Sequence, residues 1–381
     1  MNNQVSQVSG ISQNQIGISI KNLFKIFGNN SNNCIDLLHE GISKDDLKND
    51  HDHILGLKDI NLEIAPGKIQ VIMGLSGSGK STLIRHINRL IEPTAGEILV
   101  DGKNVIDFNT KELQHFRQEY TSMVFQKFAL LPHYTILENV SFGLTLKHTD
   151  HKLQEKIAQE WVERVGLKGY ENCYPNQMSG GMQQRVGLAR ALANNTPILL
   201  MDEPFSALDP LIRNDMQSIL LDLQQELSKT IVFITHDLEE ALRMGDNIVI
   251  LRDGEIVQRG SGQRIILDPA NEFIESFIKD VNRGRVIRCN ILMGKKIDRE
   301  DIPVIPYETK IEEALRQINH ADKDVANLSN KRGNIVGSIS INDILNAMLP
   351  PKIVGESVIA EITDHPNTIL TNKQVEAATI N

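Results

Sequence analysis

The chain has 381 residues, 40% of them hydrophobic and 23% charged, enough for two or three domains with substantial cores. A formal net charge of −9 lacks the basic footprint that a phosphate backbone demands, which excludes nucleic acid as the main partner. No apolar run approaches the ~18 residues of a membrane helix, and the three cysteines, Cys34, Cys173 and Cys289, are too dispersed to form a metal site and suit a reducing compartment.

Residues 1–17 are rich in Asn, Gln and Ser, have no basic-then-apolar secretion pattern, and read as a disordered tail. Ile18 to Phe27 is a predicted strand. Residues 28–56 are polar and read as an insertion with a short helical pattern around Leu37, Leu38 and Leu47. His51 and His53 lie inside it without a third ligand nearby, so a metal site is not expected there. Leu57 to Ile64 resumes as a strand, and Pro66-Gly67 turns the chain into Ile69 to Met73, a wholly apolar strand.

Next comes Gly74-Leu75-Ser76-Gly77-Ser78-Gly79-Lys80-Ser81-Thr82, which fits G-x-x-x-x-G-K-[ST], with a helix expected from Leu83 to Leu90. Strand, glycine-rich loop and helix are the setting this motif needs. Glycines let backbone N–H groups close around phosphate oxygens, and the helix N-terminus adds its positive dipole end. Lys80 is expected to reach the β- and γ-phosphates of a nucleotide, and Ser81 to hold Mg²⁺.

Glu97 to Val100 reads as a strand with an Asp101-Gly102 hairpin turn, Thr110 to Tyr120 as a helix, and Ser122 to Gln126 as a strand. Ile157, Trp161, Val162 and Val165 fall on one helical face, so Trp161 is expected in a core. Pro197 to Met201 is an apolar strand ending at Asp202-Glu203, and Thr230 to Thr235 another, ending at His236. An amphipathic helix, Ile212 to Leu227, lies between them. Strands alternating with helices predict an α/β fold with a largely parallel sheet.

Met178-Ser-Gly-Gly-Met-Gln-Gln-Arg185 precedes a helix, then come Ile198-Leu-Leu-Met-Asp-Glu-Pro204 and Ser206-Ala-Leu-Asp209. With the phosphate loop, this order resembles the ATP-binding subunits of ABC transporters from about Ile18 to Gly262. The resemblance implies a P-loop NTPase with a RecA-like core over 18–262, a helical subdomain over about 111–194, and ATP and Mg²⁺ as cofactors. It makes Phe27 the aromatic that stacks on adenine, a contact of about 1–3 kcal/mol for bases on aromatic rings; a place in the core beside Phe24 is the other reading. It assigns Mg²⁺ to Ser81, Gln126 and Asp202, orientation of the attacking water to Glu203 with Gln126, and the γ-phosphate to His236. Ser179, Gly180, Gly181 and Gln183 would reach the ATP of the opposite subunit in a head-to-tail homodimer, with Asp209 in the dimer loop. The family pattern is L-S-G-G-Q; here Met178 and Met182 replace its first and last residues.

Further stretches, among them Arg89-Leu-Ile-Glu-Pro-Thr94, Phe128-Ala-Leu-Leu-Pro-His133 and Ser179 to Arg190, are similar to glycine betaine/proline importers. That implies an ATP-hydrolysing subunit on the cytoplasmic face of a bacterial inner membrane, held by transmembrane permease subunits and served by a periplasmic or lipid-anchored solute-binding protein. An importer of another small solute, such as an amino acid, and a non-transport ABC ATPase are the rival readings. Residues 263–284 read as a linker helix. Residues 285–349 resemble a CBS module, with Gly333 to Leu345 as its strand–strand–helix ending, and 350–381 an incomplete second module or tail.

Overall fold

The computed structural model describes residues 15–349, Ala207 apart. The first fourteen residues of the expected tail and the expected second module, 350–381, lie outside the described residues.

The elements in chain order are β1 (Ile18–Phe27), α1 (Cys34–His39), α2 (Lys44–His51), β2 (Ile54–Ile64), β3 (Ile69–Gly74), α3 (Lys80–Ile87), β4 (Ala95–Val100), β5 (Lys103–Asn104), α4 (Thr110–Glu119) and β6 (Thr121–Val124). Then follow α5 (Ile136–Leu146), α6 (His151–Arg164), α7 (Gly180–Ala193), β7 (Ile198–Asp202), α8 (Pro210–Leu227), β8 (Thr230–Thr235), α9 (Leu238–Met244), β9 (Asn247–Arg252) and β10 (Glu255–Gly260). The remaining elements are α10 (Gly262–Leu267), α11 (Glu272–Ile278), α12 (Arg283–Val286), β11 (Val304–Pro306), α13 (Ile311–His320), β12 (Val325–Ser329), β13 (Ile335–Ser340) and α14 (Ile341–Met348).

The central sheet has six strands in the order β10-β9-β3-β8-β7-β6, all pairs parallel except β9 with β10. Every residue of β3, β7 and β8 is buried, which is why these strands read as unbroken apolar runs: both faces are covered. Alternate residues divide between two cores. Val71, Met73, Leu199, Met201 and Phe233 pack against the helices α5–α9. Ile72, Leu200, Val232 and Ile234 pack against α3 and the antiparallel sheet β2-β1-β4-β5. Trp161 sits in the first core at 9% exposure with the Arg164 guanidinium 4.9 Å from its ring.

Three boundaries differ from the sequence reading. β6 is an edge strand of the central sheet, so the helical subdomain proper is α5–α7. The insertion gives way to β2 at Ile54 and holds two short helices, α2 capped by Ser43, which close a small core of Cys34, Leu38 and Leu47 against Phe24, Ile26 and Leu55. His53 there bonds the backbone carbonyls of His51 and Asn29, and no cluster of three metal-ligating side chains occurs among the described residues. The stretch read as a linker helix is α10, α11 and the start of α12. Ile265, Ile274 and Ile278 pack into the core that also holds α5–α9, while Ile266 packs into the core of the C-terminal region. That region is a small β11-β12-β13 sheet carrying α13 and α14.

Candidate active site

The loop from Gly74 to Gly79 joins the carboxyl end of β3 to the N-terminus of α3, where ligands bind in open α/β sheets. Its shape requires glycine at two positions in particular. Gly79 has φ +99°, and a Cβ there would stand 2.7 Å from the Gly56 carbonyl oxygen; at Gly74 (φ +153°) it would stand 2.2 Å from that of Leu251. The close approach lets α3 begin directly beneath a cleft of about 740 Å³. Leu75, Ser76, Gly77, Gly79, Lys80, Ser81 and Thr82 line that cleft; Gly74 and Ser78 are buried behind it.

Lys80 is 5% exposed and donates to the carbonyls of Gly74 (2.9 Å) and Leu75 (3.0 Å). Burial holds its amine below the ordinary lysine value, with the carboxylates of Glu203 and Asp202 opposing that shift. Asp202, 2% exposed at the end of β7, accepts from Ser81 Oγ (2.8 Å) and from Arg85 (3.0 Å). Glu203 leaves the strand in the left-handed region, φ +46°, a strained conformation for a non-glycine residue. There Glu203 Oε2 accepts from Gln126 Nε2 at 3.2 Å and lies 3.2 Å from His236 Nδ1, while its other oxygen is 3.9 Å from Lys80. Gln126 lies two residues past the end of β6 rather than at the strand end, and His236 directly follows β8. Gln126, Glu203 and His236 thus arrive from three neighbouring strands at one wall of the cleft.

The opposite end of the cleft is apolar. Register shifts in β1 bury Phe24 at 5% exposure and leave Phe27 at 39%, on the cleft wall. Ile54, the cross-strand partner of Phe27, lines the cleft beside it. Gly56 leaves room for the Phe27 ring, because a Cβ there would stand 2.8 Å from its Cε2.

Ser179 caps α7, accepting from Met182 N–H, and the exposed Gly180 and half-buried Gly181 form its first turn. None of the predicted signature residues lines the cleft of its own chain. Gln183 is turned inward: its amide donates to the Pro175 (2.9 Å) and Met178 (3.1 Å) carbonyls and so closes its own loop. Asp209 uses its carboxylate to cap α8 through the N–H groups of Leu211 and Ile212. The sequence reading missed Arg85, Ile54 and Gly56. Arg85 carried a signal, standing four residues after Ser81 on the same helical face; the other two belong to no motif.

A hydroxyl, a buried carboxylate and an amide oxygen beside a phosphate loop are hard oxygen donors. They fit Mg²⁺, which needs only one or two carboxylates when phosphates and water complete its shell.

Parallel sheet, phosphate loop and the acid pair at the end of β7, with β8 between it and β3, define a phosphate-loop nucleotide-binding protein. A family model described as ABC transporter matches residues 57–206. The glycine betaine/carnitine transport ATP-binding protein GbuA of Listeria monocytogenes is 54% identical over 72% of this chain and 70% of its own length. The glycine betaine/proline betaine transport system ATP-binding protein ProV of Escherichia coli is 43% identical over 87% of this chain and 83% of its own. The trimethylamine N-oxide transport system ATP-binding protein TmoW of Pelagibacter ubique is 44% identical over 87% and 97%. Among solved structures, a dimeric post-hydrolysis state of the ATP-binding cassette MJ0796 bound to ADP and Pi aligns at 36% identity. Its TM-score is 0.55, over 64% of this chain and 98% of that one. The chain belongs to the ABC transporter family, among its ATP-binding, ATP-hydrolysing subunits.

Proposed function

We propose that this subunit hydrolyses ATP to energise uptake of glycine betaine, proline or a related quaternary amine. The observation that carries the reading is the meeting of Gln126, Glu203 and His236 over Lys80, in a chain 54% identical to a glycine betaine/carnitine transport subunit.

In this reading adenine stacks on Phe27 and packs against Ile54. The loop's N–H groups and Lys80 take the phosphates, with Ser76, Gly77 and Gly79 nearest the chain's turn. Ser81, Asp202 and Gln126 would hold Mg²⁺, which would supply positive charge to the nucleotide phosphates. Glu203 accepts a hydrogen bond from the attacking water and orients it in line with the γ-phosphorus. Water oxygen bonds to that phosphorus as the bond to the β–γ bridging oxygen breaks, and the proton the water loses passes by way of Glu203 to the released phosphate, leaving ADP and phosphate. Gln126 and His236 hold Glu203, and His236 also donates to the γ-phosphate. The work is positioning plus charge neutralisation.

The signature residues lie away from their own cleft, which supports a head-to-tail homodimer. There Ser179, Gly180 and Gly181 bind the partner's ATP and Asp209 lies at the dimer loop. With its amide committed to its own loop, Gln183 supports that turn instead. The relatives support transmembrane permease subunits and a separate solute-binding protein as the remaining partners, on the cytoplasmic face of a bacterial inner membrane. Among the described residues no helix is long and apolar enough to cross a membrane, so permease contact would hold the subunit there. The β–α–β–β–α order of residues 304–348 supports a CBS-like module.

Reconstitution with the neighbouring permease in vesicles tests the reading. Radiolabelled glycine betaine should accumulate only with ATP on the subunit's side. Uptake of an amino acid instead would move the assignment to another solute, and hydrolysis indifferent to any permease would favour a non-transport ATPase.

A further inference from the structure

Glu203 and His236 belong to a closed ring of contacts that the motifs do not name. His236 Nδ1 lies 3.2 Å from Glu203 Oε2. Beyond Glu203, Ser206 donates to the Glu203 carbonyl and Leu208 N–H to that of Phe205. The Leu208 carbonyl, one residue before the cap of α8, accepts from Arg213 Nη2 at 3.3 Å. Arg213 Nη1 donates to Asp237 Oδ2 at 3.1 Å, and Asp237 directly follows His236. Asp237 is itself fixed: its N–H donates to Thr235 Oγ1 and its other oxygen caps α9.

We infer that Arg213 is a positioning residue for hydrolysis: one guanidinium ties the turn that follows Glu203 to the segment carrying His236. The inference rests on the catalytic reading of Glu203 and His236 proposed above. Arg213 does not line the nucleotide cleft, so it acts through these two residues. The pair with Asp237 is about one-third exposed, so its worth is geometric rather than coulombic. Two N–H groups of a planar fork reach two acceptors at once, which a lysine ammonium on a flexible stem does not reproduce. Arg213 also lines, with Glu203, Thr235 and His236, a void of about 10 Å³. Such a space holds at most one water.

The test is steady-state ATP hydrolysis by the full chain. Arg213→Gln should lower kcat about tenfold with KM for ATP within twofold of wild type. Arg213→Lys, which keeps the charge, should recover only part of that loss. Asp237→Asn retains the helix cap and should match Arg213→Gln. The double variant should be no slower than either single one, because both break the same link. A merely structural role would instead lower the nucleotide-binding-competent fraction and leave kcat per competent site unchanged. Wild-type kcat in Arg213→Gln, a loss confined to KM, or multiplying losses would each overturn the inference. Glu203→Gln separates the two failures: if it turns over normally, the catalytic reading fails; if it is inactive while Arg213→Gln is normal, the ring is what fails.

Discussion

Replacing Glu203 by Gln isolates the charge from the shape. The two side chains are near-isosteric, and the left-handed backbone at φ +46° is equally strained with either. Gln can still accept from Gln126, so the wall of the cleft should survive. What disappears is the acceptor for a water proton and the negative charge 3.9 Å from Lys80. Two unit charges at about 4 Å interact by about 4 kcal/mol at an effective dielectric of 20. Glu203 therefore holds Lys80 in competition with the nucleotide phosphates and repels them itself. Neutralising it should tighten ATP binding while slowing hydrolysis at least ~100-fold, a rise of about 2.7 kcal/mol in the barrier. The variant should accumulate as an ATP-bound dimer, read by light scattering, with phosphate release followed in parallel. Turnover within a few-fold of wild type would remove Glu203 from its role, and weaker ATP binding would refute the electrostatic argument.

Lys80→Ala should lose ATP binding itself, since the phosphates lose their buried cation, whereas Ser179→Arg should bind ATP as a monomer yet not hydrolyse it. Mixing the two places both lesions in one composite site and leaves the other intact, so some phosphate release should return; its absence in proven heterodimers would count against the trans arrangement, unless the two sites are obligately coupled. Buried His86 donates from Nδ1 to the Thr82 carbonyl and leaves Nε2 without a partner, and desolvation first, then Lys25, push its pKa down from 6.5 to about 4. The unfolded chain therefore binds the extra proton between pH 6.5 and 4, and stability should fall by up to about 3 kcal/mol as pH drops through that window. Urea midpoints of wild type and His86→Gln across it should differ in slope, and parallel curves would sink the assignment. Cutting the chain after Val281 should leave ATP hydrolysis measurable at 25 °C but lower Tm by several degrees, because fully buried Ile266 loses its cover, at about 1.5–3 kcal/mol. An unchanged Tm would show that this contact contributes nothing. In vesicles, any dependence of transport on ionic strength should vanish with the C-terminal region; a truncated protein that still responds to salt would rule that region out as the sensor.

The site was legible in the sequence wherever chemistry is enforced by local backbone geometry. A loop that must close on phosphates needs glycines at fixed spacing, and a sheet covered on both faces needs unbroken apolar strands. The loop from Gly74 to Thr82 and the acids ending Ile198–Asp202 therefore stand out without any fold. The tertiary structure decided what depends on contacts distant in sequence. Whether Phe24 or Phe27 faces the cleft hangs on register shifts between β1 and β2, which no periodicity in β1 reveals. Gln183 follows the signature directly, yet only the fold shows that the Pro175 and Met178 carbonyls engage its amide nitrogen within its own loop. The stretch 263–284 looks like a linker because its charges are conspicuous, but two separate cores bury its isoleucines. Arg213 sits on an ordinary amphipathic helix, and only the fold brings its guanidinium to Asp237, 24 residues away. Local rules specify each strand, turn and loop; which side chains then meet across them is settled by sheet order and packing.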